Sequence, residues 1–329
     1  MSTSERSTPV TLSVVILNFR TAELVIDCLA SLAGERERDT FEVVVVDNNS
    51  GDGSAEKIQS EIARRSWSGW ARLVRSPENN GFSAGNNFGV IHSRGDLVLL
   101  LNSDTVVRPG AIAELVRALE ACPEAGIIGP RLEWPDGTAQ ESAFRWPRPT
   151  TELERIARTG LVTRLFKNSV QAIGVPDEPR RMEWVSFAAV MIRRELFESI
   201  GTMDEGFFMY YEDVDFCRRA VGTGSEVWYW PAASIVHLRG GSSPVKALTS
   251  QKKRRPAYFY ASRNRYYGRY YGRVGLWWAN VCWIIGRAIS LPREWLERKE
   301  AAACESEWRD IWTNALRPLA TERDLARGD

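Results

Sequence analysis

The most informative segment of this chain reads Asp96-Leu-Val-Leu-Leu-Leu-Asn-Ser-Asp-Thr-Val-Val107. Its five consecutive apolar residues, 97–101, are typical of a strand that is buried on both faces, as in a parallel sheet covered by helices. The run ends in Asn102-Ser-Asp104, and open α/β sheets bind ligands at the carboxyl ends of their strands. Asp104 is therefore a candidate for holding a hard cation against a phosphate. Taken alone, it fits a helix cap or a turn equally well.

Two earlier segments have the same design. Residues 10–18 (VTLSVVILN) and 41–47 (FEVVVVD) are apolar, β-rich runs, and helical spacing or turn residues follow each of them. Strands that alternate with helices predict βαβ units and a mainly parallel sheet. The strand tips Asn18, Asp47 and Asn102 should then converge on one rim, which favours a nucleotide site. The spacing is neither a G-x-G-x-x-G fingerprint nor a G-x-x-x-x-G-K-[ST] phosphate loop.

Composition indicates a folded globular protein. The chain has 329 residues, 44% of them hydrophobic and 26% charged, which excludes a disordered polymer. Five scattered cysteines form no C-x-x-C pair, so neither a disulfide framework nor a zinc cluster is indicated, and a reducing compartment fits best. The first residues are polar and show no apolar core of a secretory signal.

Charge is distributed unevenly. Residues 227–293 contain twelve Lys or Arg residues and no Asp or Glu, and they are rich in Trp and Tyr. Such a segment favours a polyanionic partner, namely a membrane surface, a lipid phosphate or a nucleic acid. A solvated basic face without a partner is the alternative.

Within this segment, residues 276–291 show one apolar helical face that includes Trp277, Ile284 and Ile285. The run is shorter than the roughly 20 apolar residues that span a bilayer. It fits both an interfacial helix at the level of the lipid headgroups and a helix that docks on the protein's own core.

Seven short motifs follow one another along residues 10–270. They are Ser13-Val-Val-Ile-Leu-Asn, Val45-Val-Asp-Asn-Asn-Ser-Gly-Asp-Gly-Ser, Asn80-Gly-Phe-Ser-Ala-Gly-Asn-Asn, Leu101-Asn-Ser-Asp, Trp184-Val-Ser, Glu212-Asp-Val-Asp-Phe-Cys-Arg-Arg and His237-Leu-Arg-Gly-Gly-Ser-Ser. In this order they resemble the inverting glycosyltransferases of family 2 and, more narrowly, the bacterial rhamnosyltransferase-like branch.

The resemblance implies an α/β GT-A fold, with a mainly parallel Rossmann-like sheet, a small antiparallel portion on the acceptor side and a helical C-terminal extension. The expected divisions are a disordered N-terminus (1–9), a glycosyltransferase domain (10–245), a basic, aromatic helical region (246–320) and a frayed tail (321–329). Within the domain, residues 10–132 form the nucleotide-sugar half and residues 133–245 the acceptor half.

The resemblance also assigns roles to individual residues. Asp213 matches the catalytic base, and Asp104 and His237 match the ligands of Mn²⁺ or Mg²⁺. Asn102 replaces the first carboxylate of the D-x-D site, which should weaken metal binding. Phe187 and Tyr211 stand where many relatives carry smaller residues, which bears on the acceptor pocket.

Further contacts are expected around these residues. Asp47 matches the position that binds the nucleobase imide, while Glu212 and Trp184 are expected on the acceptor side. A buried Trp more often packs in a core, and Asn80-Gly81 is also explained by a turn that needs positive φ. The expected nucleotide-sugar-binding residues are Asn18, Asp47, Asn49, Asn80, Gly81, Asn87, Asn102 and Ser103.

The activity implied is metal-dependent inverting transfer from a dTDP- or UDP-sugar, with dTDP-L-rhamnose as the first candidate, to a saccharide or lipid-linked saccharide in cell-surface polysaccharide synthesis. The expected location is cytoplasmic and peripheral on the inner face of the membrane. The anionic headgroups of the membrane, or a lipid diphosphate, are expected to bind four arginines of the C-terminal region, namely Arg263, Arg265, Arg269 and Arg273.

Two other classes of function stay open at this point. One is a nucleic-acid-binding protein that uses Lys252-Lys-Arg-Arg255 and the tyrosines, although this leaves the acidic rim unexplained and no nucleic acid is expected. The other is a non-catalytic nucleotide-sugar-binding relative, which the Asn102 departure permits.

Overall fold

The structure is a computed structural model that describes residues 12–36, 41–238, 244–298 and 300–320. The expectations for the N-terminus (1–9) and the tail (321–329) lie outside the described residues. So does the Gly-Gly-Ser-Ser part of the His237 motif.

The described chain forms a ten-stranded mixed sheet, a separate two-stranded sheet and helices around them. The strands are β1 (Leu12–Asn18), β2 (Phe41–Asp47), β3 (Ala71–Arg75), β4 (Leu97–Asn102), β5 (Thr105–Val107), β6 (Ala125–Glu133), β7 (Ala139–Gln140), β8 (Ala143–Phe144), β9 (Arg180–Met182), β10 (Trp184–Val185), β11 (Ala189–Arg193) and β12 (Glu226–His237). The helices are α1 (Ala22–Glu35), α2 (Ser54–Arg64), α3 (Gly81–Ile91), α4 (Ala111–Ala121), α5 (Pro149–Ala157), α6 (Gly160–Leu165), α7 (Arg194–Ile200), α8 (Glu212–Gly222), α9 (Val245–Ser250), α10 (Ala257–Glu297) and α11 (Glu307–Asp310).

The strand order in the large sheet is β3-β2-β1-β4-β11-β6-β12-β5. Strands β1 to β4 pair in parallel, as do β6 and β12, and β11 runs antiparallel between β4 and β6. The register sets Asn18 opposite Asp47 and Leu17 opposite Asn102. The predicted mainly parallel sheet with an antiparallel portion and a helical extension is confirmed.

The sheet is covered by helices on both faces because its central strands carry apolar side chains on both faces. On one face Val14 and Ile16 pack with Leu29 of α1, and on the other face Val15 packs with Val90 of α3. Side chains alternate between the faces of a strand, so a continuous run of Val, Ile and Leu requires two covering layers. This burial holds the strand ends in a fixed rim.

Helix α10 forms most of the C-terminal extension and packs against α5. Its helical geometry is interrupted at Gly272, where φ is 66°, a value that glycine adopts readily. After this break, Leu276, Ala279 and Trp283 turn inward and are buried. One face of this helix is therefore docked on the protein, but the apolar face named from the sequence, with Trp277, Ile284 and Ile285, remains exposed.

Several arginines of the C-terminal region pair with carboxylates of the protein itself. The Arg263 guanidinium is buried and lies 2.9 Å from the Glu152 carboxylate. Arg265 and Arg269 lie 2.9 and 2.7 Å from Asp204. The expectation that these three guanidinium groups contact anionic headgroups is thus corrected, because they anchor α10 to the body of the protein.

The two arginines of the basic run 252–255 are also paired, Arg254 with Asp310 and Arg255 with Glu307. Arg273 stays exposed. Among the described helices, α10 is long and apolar enough to cross a membrane, judged by length and composition alone. The helix is longer than residues 276–291, the run that the sequence analysis judged too short to span a bilayer.

Candidate active site

The tips of β1 and β2 meet as expected. The Asn18 amide is buried and donates a hydrogen bond to Oδ1 of Asp47 at 2.7 Å. Its Oδ1 atom accepts from the Thr21 backbone N–H at 3.1 Å, and Asp47 Oδ2 accepts from the Ser50 N–H at 3.3 Å. Both side chains are therefore engaged inside the protein, where they fix the shape of the turn after β2.

Asn48 occupies a different position, with its side chain at a cavity. Its Nδ2 group donates to Oδ1 of Asn79 at 2.9 Å and to the carbonyl oxygen of Gly81 at 3.1 Å. Two acceptors on one side fix the orientation of the amide. The opposite atom, Oδ1, is buried and has no hydrogen-bond partner among the described residues. No sequence pattern singled out this residue.

The cavity beside Asn48 has a volume of about 230 Å³ and is mainly apolar in its walls. Its lining residues are Leu17, Phe19, Asn48, Asn79, Gly81, Phe82, Asn102, Ser103, Phe208, Met209, Pro244 and Tyr258. Aromatic and apolar walls with a few polar atoms are typical of a nucleoside pocket. We call this space the base cavity. Asp47 is not one of the described residues that line it, so the contact to the nucleobase that the sequence assigned to Asp47 is reconsidered below.

The loop before α3 is held against the base cavity. Gly81 has φ of 90°, and a Cβ atom there would lie 2.1 Å from the Phe208 carbonyl oxygen. Phe82 donates its N–H to the same oxygen at 2.6 Å. The turn and this close approach both require glycine, whereas Asn80 is exposed and bonds Glu78.

Asn87 and Asn49 also differ in their surroundings from a binding residue. Asn87 is buried, exchanges hydrogen bonds with the backbone of Met203 and donates to Glu205. Its amide therefore ties α3 to the loop before α8. Asn49 is exposed in the turn after β2, with φ of 55°.

A second cavity of about 110 Å³ adjoins the base cavity and shares Phe82, Asn102 and Met209 with it. We call it the reaction cavity. Its lining residues are Phe82, Asn102, Asp104, Ser186, Phe187, Ala188, Met209, Tyr210, Glu212, Asp213, His237 and Lys246. The predicted metal ligands and the predicted base thus meet in one place, although they come from three distant parts of the chain.

Antiparallel pairing of β5 with β12 brings Asp104 and His237 together, because His237 lies opposite Thr105. Nε2 of His237 is 3.5 Å from Oδ1 of Asp104. Nε2 of the imidazole and Oδ1 of the carboxylate thus lie close enough to be two ligands of one divalent cation. The other ring nitrogen, Nδ1, is buried and finds no hydrogen-bond partner in the part of the chain that the structure describes.

No cluster of three or more metal-binding side chains occurs in residues 12–36, 41–238, 244–298 and 300–320. Two protein ligands leave most coordination positions of Mn²⁺ or Mg²⁺ to other oxygens, as is usual where a cation bridges protein and phosphate.

Glu212 and Asp213 begin α8 directly after Tyr210 and Tyr211, which have φ of 72° and 70°. Positive φ at two successive tyrosines is strained backbone, and such strain collects at functional sites. The turn directs both carboxyl groups into the reaction cavity.

Electrostatics separates the two carboxyl groups. Burial raises the pKa of Asp213 to about 6, against hydrogen bonds from the Val214 and Phe187 N–H groups and the charge of Lys246, which lower it. Burial, followed by the neighbouring Asp213, raises the pKa of Glu212 well above its usual value. As pH rises, the pair thus loses its first proton from Asp213, while Glu212 holds its proton to higher pH. Lys246, which no sequence pattern singled out, supplies the ammonium group in this cavity.

Trp184 and Asp215 serve the surrounding structure. Trp184 stacks on Phe144 with ring centroids 4.4 Å apart and donates to the Arg145 carbonyl oxygen at 2.8 Å. It is not one of the described residues that line either cavity. Asp215 is buried and bonds Arg219 and Arg269, which leaves Glu212 and Asp213 as the acidic residues of α8 that line the reaction cavity.

Comparison with known proteins gives one family match. Residues 13–210 match the family model described as glycosyl transferase family 2. An N-acetylglucosaminyl-diphospho-decaprenol L-rhamnosyltransferase of Mycobacterium tuberculosis is 26% identical over 285 residues, which is 80% of this chain and 85% of the relative. The low-salt glycan biosynthesis hexosyltransferase Agl10 of Haloferax volcanii is 30% identical over 218 residues, 64% of this chain and 61% of the relative.

Solved structures share the fold. The mannosyltransferase PcManGT from Pyrobaculum calidifontis, in complex with GDP-Man and Mn²⁺, has a TM-score of 0.54 at 19% identity over 95% of this chain and 86% of its own. GalNAc-T7 with UDP, GalNAc and Mn²⁺ has a TM-score of 0.51 at 18% identity over 80% of this chain and 51% of its own.

Proposed function

Because this chain belongs to glycosyl transferase family 2 and is a glycosyltransferase, we propose that it transfers L-rhamnose from dTDP-L-rhamnose to a hydroxyl of a lipid-linked saccharide. The first relative's name supports both the sugar and an acceptor linked to a lipid diphosphate. The observation that carries the proposal is the junction of the base cavity with the reaction cavity, where Asp104, Asp213 and His237 meet. A UDP-sugar donor or a plain saccharide acceptor is the alternative within the same chemistry.

Asn48 reads the base in this proposal. Its buried Oδ1 atom accepts the imide N–H of thymine or uracil, and this pairing removes an unsatisfied polar atom from the protein. Cytosine presents no N–H at that position. We thus move the imide contact from Asp47 to Asn48, while Asp47 and Asn18 hold the turn.

Asp104 and His237 hold the divalent cation, Mn²⁺ or Mg²⁺. Bound there, the cation supplies positive charge that stabilises the departing diphosphate. Asn102 in place of a carboxylate lowers the negative charge around it. Lys246 lines the same cavity, and its ammonium group binds a diphosphate oxygen as a second cationic contact.

Asp213 takes the proton. The acceptor hydroxyl oxygen attacks the anomeric carbon from the face opposite the diphosphate, while its proton moves to the Asp213 carboxylate. The new bond forms as the bond between the anomeric carbon and the diphosphate oxygen breaks, and that electron pair leaves with the diphosphate. Configuration is inverted. Glu212 stays protonated and donates a hydrogen bond that orients the acceptor.

The proposed setting is cell-surface polysaccharide synthesis at the cytoplasmic face of the membrane. A lipid-linked acceptor requires that setting, because its lipid stays in the bilayer while the donor is soluble.

Binding of nucleotides to Asn48 variants tests the donor site. Asn48→Leu should weaken binding of UDP or dTDP about 5- to 150-fold, since a lost hydrogen bond at a buried site is worth about 1–3 kcal/mol. Asn79→Ala, which removes one acceptor of the Asn48 amide but keeps Oδ1 of Asn48, is the control and should lose less. Equal losses of affinity in both variants would contradict the hydrogen bond between the base imide and Asn48. Normal binding by Asn48→Leu would show that the base does not contact Asn48.

A further inference from the structure

The second half of α10 presents a long apolar stripe to solvent. Counting 100° per residue, the side chains from 274 to 296 on this side contain no charged group. The exposed large members are Val274, Trp277, Trp278, Ile284, Ile285, Leu291, Trp295 and Leu296. Val274 is 82% exposed and Trp295 81%. A contiguous exposed surface of this kind marks an interaction site, and we call it the α10 stripe.

The opposite side of the helix fixes the direction of the stripe. Leu276, Ala279 and Trp283 are buried in the protein. Gly286 lies so close to α5 that a Cβ atom there would be 2.9 Å from the Leu153 carbonyl oxygen. Tight docking on one side means that the stripe cannot rotate inward.

We propose that the α10 stripe lies in the interfacial layer of a lipid bilayer, with the helix parallel to the membrane plane. Trp277 and Trp278 stand near one end and Trp295 near the other, about 26 Å apart at 1.5 Å per residue. Tryptophan is enriched at the headgroup level because its ring is apolar and its N–H is polar. An apolar helix face with aromatic residues is the design of an in-plane anchor.

Charges around the stripe fit headgroups. Arg273 and Arg298 are exposed at its two ends. The two carboxylates of the last turns are balanced, since Glu294 pairs with Arg287 and Glu297 lies 3.6 Å from Arg293. Lipid phosphates complement this arrangement.

A second copy of the chain fits the stripe less well. Two-fold antiparallel pairing of two stripes would set Arg273 of each copy beside Arg298 of the other, and like charges at both ends oppose association. The packing of α10 against α5 also favours a helix that lies in the membrane plane over one that crosses the membrane. A helix that crosses the bilayer would have to separate from α5.

This inference deepens the proposed function, since the helix that carries the stripe begins beside the base cavity, where Tyr258 lines the wall. A protein anchored in this way meets a lipid-linked acceptor at the membrane surface. The anchoring is apolar, in contrast to the electrostatic contact that the arginine-rich sequence predicted, so salt should affect it little.

Flotation of the full chain with vesicles tests the inference. The probes are phosphatidylcholine vesicles and vesicles with 30% phosphatidylglycerol, each in 0.1 and 0.5 M NaCl. We expect binding to both kinds of vesicle, a change of less than twofold with salt on the neutral vesicles, and a blue shift of Trp emission. Trp277→Ser/Trp278→Ser should lower the bound fraction at least tenfold. Ile91→Ser, which changes an apolar residue of α3 that is even more exposed than the two tryptophans, is the control and should bind as the parent chain does.

Three results would overturn the inference. They are no binding of the parent chain to either vesicle, binding that 0.5 M NaCl abolishes, and a vesicle-free dimer that the double Trp variant dissociates. Unchanged melting temperature and unchanged nucleotide binding of the double variant show that it is folded. Hydrolysis or transfer of dTDP- and UDP-sugars without vesicles reports on the proposed function separately, so failure of the two ideas can be told apart.

Discussion

Nε2 of His237 lies 3.5 Å from Oδ1 of Asp104, at the point where β12 runs antiparallel to β5. The two residues are far apart in the sequence, and neither alone is informative, since Asp is common in turns and a single His is often structural. Their pairing at the carboxyl end of β4, beside Asp213, turns two ambiguous residues into one candidate metal site.

Removing either side chain should uncouple nucleotide binding from the cation. In Asp104→Asn and His237→Gln we expect the stabilisation by UDP or dTDP to become insensitive to Mn²⁺, because the carboxylate charge or the imidazole ligand is lost. Calorimetric titration of each variant with nucleotide, with and without Mn²⁺, measures this. Asn49→Ala, an exposed change outside both cavities, is the control, and Mn²⁺-dependent binding that survives in both variants would contradict the assignment.

Replacement of the proposed base should separate chemistry from binding. Asp213→Asn keeps the size of the side chain but cannot accept the proton, so transfer should fall about 10²- to 10⁴-fold while the affinity for the nucleotide changes little. Transfer assays and nucleotide titrations on the same preparation give both values. Substantial residual transfer would show that another group takes the proton.

Acid should inhibit the enzyme through the same group. Burial raises the pKa of Asp213 to about 6, and only the ionised form accepts a proton, so kcat/KM should be constant above about pH 7 and fall about tenfold per unit below about pH 6. A profile of kcat/KM measures the inflection, and NMR titration of the metal-free protein measures the pKa of Asp213 without the charge of the cation, which would lower it. A pKa near 4 in the metal-free protein, the ordinary range of an Asp, would contradict the raised pKa.

Glu212 should lower the stability of the fold as pH rises. Its folded-state pKa is raised well above 4.5, so the folded protein holds a proton that the unfolded chain releases above about pH 4.5, and stability is lost as pH rises from there toward the folded pKa. Glu212→Gln cannot ionise and should therefore raise the melting temperature at pH 8 but not at pH 4. A difference that does not depend on pH would rule out a neutral Glu212.

The buried ion pair between α5 and α10 should be essential for the C-terminal extension. Burial opposes ionisation of Glu152, but Arg263 and Arg155 outweigh it and lower the pKa to about 2. Glu152→Gln leaves the buried Arg263 guanidinium without its counter-charge, which costs about 3–5 kcal/mol, whereas Arg155 still pairs with Glu307. Urea unfolding measures the loss, and Glu61→Gln, which removes an exposed pair with Arg64, should change little. Equal effects would show that burial does not matter here.

The rim of the sheet was predictable because apolar strands ending in polar residues have few alternatives. The continuous runs at β1, β2 and β4 require a sheet covered on both faces, and parallel strands must end together. Asn18, Asp47 and Asp104 meet at that rim for this reason. The motifs then identified the family, which the family model confirms.

The chemistry of single atoms was not predictable. Asp47 and Asn48 are neighbours in the turn after β2, and the backbone conformation of that turn decides which side chain faces the cavity. The hydrophobic periodicity of a sequence does not predict that conformation. The unsatisfied Oδ1 of Asn48 becomes visible only when Asn79 and Gly81 are in place. Lys246 reaches the reaction cavity from α9, so its role depends on tertiary packing.

The arginines of α10 show the opposite difficulty. A segment without acidic residues reads as a basic surface, but its partners are carboxylates elsewhere in the chain, such as Glu152 and Asp204. Charge patterning along the sequence cannot reveal pairs between distant segments. The exposed surface of α10 is consequently apolar where the sequence suggested a cationic one.

The most direct test of the central claim is the melting temperature of the chain with UDP, dTDP, GDP and CDP, each with and without Mn²⁺. A ligand that binds only the folded state raises the melting temperature by mass action. We predict that UDP or dTDP raises it, that Mn²⁺ increases the rise, and that CDP has the smallest effect. No shift with any nucleotide in the presence of Mn²⁺ would contradict a nucleoside diphosphate site built on Asn48, Asp104 and His237.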